Sequence, residues 1–175
     1  MRKLTMMYKV LSTVDKFNAF KVASAHCDIP CGIYDPSSAQ IATLSVIRAL
    51  NLIQELQELS EKGKLSLQQH AKLVRLVDMK EVHAEQVKNE IRIIWGDYFK
   101  KPQCDEYPQI HVLVHSILQI GSKCRQDTEQ ENGLELLNLV NQFAEIFWAT
   151  KGKKTARVKC PYPPELLVVY PVLSQ

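Results

Sequence analysis

The stretch His26-Cys27-Asp28-Ile29-Pro30-Cys31-Gly32-Ile33-Tyr34-Asp35-Pro36 gathers an imidazole, two thiols, two prolines and a phenol into eleven residues. Small residues, Ala23-Ser24-Ala25, precede it, and a peptidase cut after Ala25 makes His26 the first residue. His26 then offers a free amine and an imidazole beside two thiols. The amine and the Cys27 backbone nitrogen close one five-membered ring on a metal, and the Cys27 sulfur closes a second. Cys31 returns another sulfur, leaving the imidazole to bind axially. Two nitrogens and two sulfurs in a plane favour nickel or copper over tetrahedral zinc, and thiolates disfavour hard cations. Deprotonating the backbone amide needs a metal that prefers square-planar geometry, as Ni(II) does.

Cys27 and Cys31 are four residues apart, unlike the Cys-x-x-Cys of zinc ribbons and thiol oxidoreductases. Pro30 fixes a turn before Cys31, Gly32 permits unusual backbone, and Tyr34 is near enough in sequence to overhang an open coordination face. The same residues also suit two buried free thiols in a capping loop, or a Cys27–Cys31 disulfide in a thiol-redox or helical interaction protein. The chain has five cysteines, an odd number with uneven spacing that does not form a disulfide framework. Cys104, Cys124 and Cys160 read as unpaired, buried or inert thiols, with Cys160 open to exposure in a tail.

The elements that must position these groups are helices. Asp35-Pro36 is a helix start. Ile41, Leu44, Ile47, Leu52, Leu56 and Leu59 then predict a first helix from Pro36 to about Lys62, ended by Gly63. Ser66 with Gln69 reads as a capping box for a second helix. Its seam is Leu73, Val77, Ala84, Val87, Ile91, Ile94 and Tyr98, with Lys80 out of character, and it ends near Phe99. Lys100 to Tyr107 reads as a connector containing Pro102. Pro108 opens a third helix with Ile110, Leu113, Val114, Ile117 and Leu118, weakened near its end by Gly121. A fourth carries Leu134, Leu137, Val140, Ala144 and Phe147 and stops by Gly152. The fold class is all-α, an up-down-up-down four-helix bundle with an N-terminal metal hook. The domains are a cleaved pro-segment (1–25), the hook with its bundle (26–150) and a Pro-rich C-terminal extension (151–175). In the extension, Leu166–Tyr170 is strand-like and is placed equally well on the bundle, on another subunit or in solvent.

The formal net charge of +3 is unevenly spread. Residues 1–25 and 151–175 each carry five Lys/Arg and one acid, which leaves −5 on the residues between. A nucleic-acid partner is set aside, since the basic face belongs to the tails and not to the folded domain. No apolar run spans a bilayer. Residues 1–25 lack a clean apolar core because Lys9, Asp15, Lys16 and Lys21 interrupt it. They read as a pro-segment removed in the cytoplasm, with export or plastid import as the alternative.

The pattern His-Cys-Asp-x-Pro-Cys-Gly-x-Tyr-Asp-Pro resembles the nickel hook of nickel-containing superoxide dismutases, with every fixed position filled. Trp95-Gly96-Asp97-Tyr98-Phe99-Lys100, Tyr107-Pro108 and Ile146-Phe147-Trp148 are similar to later blocks of that family. The resemblance covers about residues 26–150. It implies a homohexamer of four-helix bundles that converts superoxide to oxygen and hydrogen peroxide, with one nickel ion per subunit cycling between Ni(II) and Ni(III). It implies that His26 ligates through amine and imidazole, Cys27 through amide and sulfur, and Cys31 through sulfur. A maturation protease is the implied partner that frees His26. Tyr34 would gate the vacant side, Tyr98 would stand behind it, and Lys100 would draw the anion in or simply be a solvated helix-end lysine.

Two positions depart from the family. Its glutamate on helix 1 and arginine on helix 2, which hold the axial imidazole, align with Ala42 and His83. His83 is the candidate to orient that imidazole, against an ordinary half-buried bundle histidine. His111 and His115 stand at a chelating spacing but without a zincin glutamate, and they read with His70 as ordinary positions. A nickel carrier or sensor using the same hook without turnover is the alternative function.

Overall fold

The computed structural model describes residues 32–59 and 64–173. The pro-segment, His26, Cys27, Cys31 and Gly63 lie outside the described residues. Helix α1 spans Ser37–Glu58 and α2 spans Leu67–Ile93, followed by a π-helical turn at Ile94–Tyr98. Short α3 (Lys101–Glu106), α4 (Ile110–Gln126) and α5 (Gln130–Thr150) come next, then strands β1 (Thr155–Lys159) and β2 (Leu167–Pro171). Four long helices form the bundle: α1 packs on α2 and α5, and α4 packs on the same two. No helix among the described residues is long and apolar enough to cross a membrane.

Local chemistry explains most of the boundaries. Asp35 Oδ1 accepts from the Ser37 N–H at 2.8 Å just ahead of α1, but the N-cap is Pro36 and not the expected Asp35. The Ser66–Gln69 box is reciprocal, at 2.7 and 3.2 Å. α1 ends at Glu58, before the predicted Lys62. Leu56 is its last buried residue and Leu59 is 69% exposed, so a further turn would have had no apolar surface to cover. The predicted connector at Lys100–Tyr107 is largely helical instead. Pro102 falls in the first turn of α3, where its missing N–H costs nothing.

The core runs along the bundle axis through Val46, Leu50, Ala84, Val87, Ile91, Ile117, Leu136, Val140, Phe143 and Phe147. Truncating a residue such as Phe143 to alanine there costs about 3–5 kcal/mol. Ile41, Leu59 and Leu134, expected on apolar faces, are exposed instead. Leu134 is 43% exposed while Gly133 and Leu136 are buried, because α1 crosses over Gly133, where a Cβ would stand 2.9 Å from Leu50 Cδ1. Gly121 does not weaken α4. The helix continues five residues past it, and its bare Cα admits the Lys88 side chain, which a Cβ would meet at 2.9 Å.

Lys80, the misfit in the α2 seam, is buried and donates through Nζ to the carbonyls of Arg125 (3.0 Å) and Asp127. It satisfies acceptors that the end of α4 leaves open and ties α2 to α4. Its pKa is lowered by burial, which Glu81, Asp127 and Cys124 oppose.

The extension adds to the all-α reading an antiparallel hairpin, with Val158 opposite Val168. It lies on the bundle. Val168, Cys160, Leu44, Ile47 and Leu137 form one buried cluster. Cys160 is therefore buried, not exposed. Two buried amides clasp β2. Gln40 Nε2 donates to the Val169 carbonyl (2.9 Å) and to Asn141 Oδ1 (3.2 Å). Asn141 Nδ2 donates to the Leu167 carbonyl (2.9 Å), and its Oδ1 accepts from Val169 N–H (3.1 Å). A strand edge that would otherwise need water or another strand is paired by side chains.

Candidate metal centre

The π turn at the end of α2 decides where Tyr98 points. Phe99 N–H reaches back five residues to the Ile94 carbonyl at 3.4 Å. One extra residue in a turn rotates the subsequent residues by about 100° relative to a regular helix. Tyr98 is thereby set against the end of α5, half-buried in an aromatic group. Its ring centroid stands 4.8 Å from Phe147, 5.3 Å from Phe99 and 5.9 Å from Tyr34. Tyr34 and Tyr98, singled out in the sequence 64 positions apart, are thus brought together.

Two further residues join them that sequence reasoning missed. Thr150 Oγ1 lies 2.7 Å from the Tyr98 hydroxyl and donates to the Phe147 carbonyl at 2.6 Å. Lys151 Nζ stands over the rings of Tyr98 (4.6 Å) and Phe147 (5.1 Å). Such cation–π contacts contribute about 0.5–1 kcal/mol at exposed sites and hold the charge in place. The spacing of Phe147 and Lys151 is one signal for their contact, but nothing local announces Tyr98 as the shared neighbour. Lys100 instead turns its Nζ to the Gly96 carbonyl at 3.3 Å, on its own helix end. Beside Phe147, Trp148 Nε1 is buried without a hydrogen-bond partner, an unspent donor at the same end of α5.

His83 stands apart from this group. It precedes Tyr98 by 15 residues, about 22 Å along a helix axis. It is half-buried, and its Nδ1 lies 2.8 Å from the Met79 carbonyl. A carbonyl only accepts, so Nδ1 carries a proton, and in the neutral ring Nε2 is then the acceptor. Ala42 is buried at 1% exposure and supplies no polar group from α1. His111 Nδ1 accepts from Trp95 Nε1 at 3.1 Å, and His115 and His70 are exposed.

Among the described residues no group of three or more His, Cys, Asp or Glu is placed to hold a metal. Cys104, Cys124 and Cys160 are free thiols. Burial, reinforced by Asp127, pushes the Cys124 thiol up to about 12, so it stays protonated and inert at neutral pH. The donor types at His26, Cys27 and Cys31, an imidazole and two soft sulfurs, fit nickel.

The sequence model of the family described as nickel-containing superoxide dismutase matches residues 21–151. A Ni superoxide dismutase of Streptomyces seoulensis is 37% identical over 128 residues, covering 73% of this chain and 89% of that protein. Its counterpart from Streptomyces coelicolor is 35% identical over the same shares. Among solved structures, a native nickel superoxide dismutase superposes with a TM-score of 0.61 at 32% identity, covering 72% of this chain and 99% of that one. A nickel-containing superoxide dismutase with ligation described as the oxidised state gives 0.60 at 35%, covering 73% and 99%. On this agreement of sequence and fold, the chain belongs to the nickel-containing superoxide dismutase family, with superoxide dismutation as its activity and nickel as its cofactor.

Proposed function

We propose that the nickel is held by His26, Cys27 and Cys31 once residues 1–25 are removed by a maturation protease, with processing in the cytoplasm. When bound, nickel supplies the one-electron Ni(II)/Ni(III) couple that dismutation needs, one ion per subunit of a homohexamer. The bundle of residues 26–150 is the catalytic unit, and residues 151–175 are a structural addition to it.

The observation that carries this reading is the pairing of Tyr34 with Tyr98 at 5.9 Å. Cys31 precedes Tyr34 by three residues, and a chain spans at most about 3.6 Å per residue, so Cys31 is tethered within about 11 Å of the Tyr34 backbone. The two phenols flank the route to the metal, exclude bulk water and offer hydroxyls to small oxygen species. Lys151 supplies positive charge to an anionic substrate there. His83 is the proposed partner of the His26 imidazole. The His83 Nε2 lone pair would accept that imidazole's free N–H and orient it.

The test uses protein matured in its native host. Intact mass and N-terminal sequencing should show His26 as the first residue, nickel should be stoichiometric, and superoxide should disappear catalytically. Fully active material that keeps residues 1–25, or that lacks nickel, would overturn the reading. Nickel bound at His26 without turnover would favour a carrier or sensor.

A further inference from the structure

We propose that Thr150 is a positioning residue for the dismutation, because it sets whether Tyr98 donates or accepts a hydrogen bond. This rests on the reading that Tyr98 flanks the nickel site. Thr150 has one hydroxyl proton, and it lies on the Phe147 carbonyl at 2.6 Å. A carbonyl has no proton to give, so the 2.7 Å contact between Thr150 Oγ1 and Tyr98 Oη is made with the Tyr98 proton. Tyr98 is then a donor inward and presents only lone pairs outward.

The alternative arrangement is close at hand. If the Thr150 hydroxyl turns from Phe147 to Tyr98, it donates to the phenol oxygen, and the Tyr98 proton is released to point outward. No heavy atom moves, and one hydrogen bond is exchanged for another. Phe147 lies in the last turn of α5, where carbonyls lack regular helical partners, so the hydroxyl has a resting acceptor to return to.

The two arrangements match the two kinds of species in the reaction. Superoxide is an anion with acceptors only, and it requires a donor. Hydrogen peroxide and water carry O–H donors and are met by lone pairs. Thr150 therefore lets one rigid phenol serve both. Its ring is held by Phe147, Phe99 and the Lys151 ammonium, so only the protons need to reorient.

The experiment compares T150V, T150S and Y98F in protein matured to begin at His26, before and after nickel loading. Ultraviolet resonance Raman reads the tyrosine ring doublet, whose intensity ratio distinguishes a donating from an accepting phenol. The wild-type minus Y98F difference should carry the donor pattern. T150S should keep it, and T150V should lose it. Turnover should fall several-fold in T150V with an altered solvent isotope effect, and T150S should restore both. A T150V doublet identical to wild type overturns the proposal. So does unchanged turnover and isotope effect in T150V when Y98F is impaired. Y98F with full turnover instead removes Tyr98 from the site and overturns the reading on which the proposal rests, while the doublet still reports the Thr150 bond.

Discussion

Helix α5 carries two polar side chains that each fasten another segment to the bundle, and they do so in opposite ways. Asn141 is buried at 3% exposure, and its amide is spent on Gln40, Leu167 and Val169. Nothing there is free to bind a ligand, and the result is a fixed hairpin. Nine residues on, Thr150 is half-buried and shares its hydroxyl between Phe147 and Tyr98, which leaves the phenol with unspent lone pairs. A saturated buried network specifies architecture, whereas a partly satisfied one at the surface retains chemistry. The same helix thus anchors a structural addition at one level and the flank of the proposed centre at another.

That contrast is open to direct attack. The largest effect is expected at the clasp. Asn141→Leu leaves the Leu167 carbonyl and the Val169 N–H of β2 without their side-chain partners in a buried setting, at about 1–3 kcal/mol for each unsatisfied group, while Gln40 keeps its bond to the Val169 carbonyl. Urea unfolding should register the loss, while activity per folded molecule stays near wild type. A large fall in specific activity would show that the hairpin is not merely structural.

Cys124 gives a pH-dependent comparison. Its native pKa of about 12 lies above the ordinary thiol value of 9.0, so between these values the unfolded chain holds fewer protons than the native one. Native stability credited to Cys124 is full below 9 and falls as pH rises toward 12. Cys124→Ala should therefore lose less stability than wild type across that window. Parallel unfolding curves would contradict the assigned burial.

At the other end, Lys151→Glu reverses the charge on the Tyr98 ring. The expected fall in kcat/KM is about 3–10-fold at low ionic strength and fades as salt rises, since steering is screened. Lys100→Glu should matter less, because that ammonium turns to Gly96. The smallest change is expected from His83→Ala, a modest loss of activity with a shift in the Ni(III) electron paramagnetic resonance signal. An unchanged signal and unchanged kinetics would discard His83 as an orienting group.

The sequence by itself determined the family and most of the local structure, because those are encoded at short range. The hook pattern lies within eleven residues, the Asp35-Pro36 helix start and the Ser66–Gln69 box within four, and the bundle seams within a helical period. Its errors share one physical cause. Gly121 looks like a weak point until the Lys88 side chain is seen to need its missing Cβ. Lys80 looks misplaced until the end of α4 arrives to receive it. Leu166–Tyr170 is strand-like anywhere, and groups distant in the chain, the amides of Gln40 and Asn141 and the apolar Leu44, Ile47 and Leu137, decide that it lies on the bundle. Tertiary structure alone brought Tyr34, Tyr98, Thr150 and Lys151 together, because they come from three segments far apart in the chain.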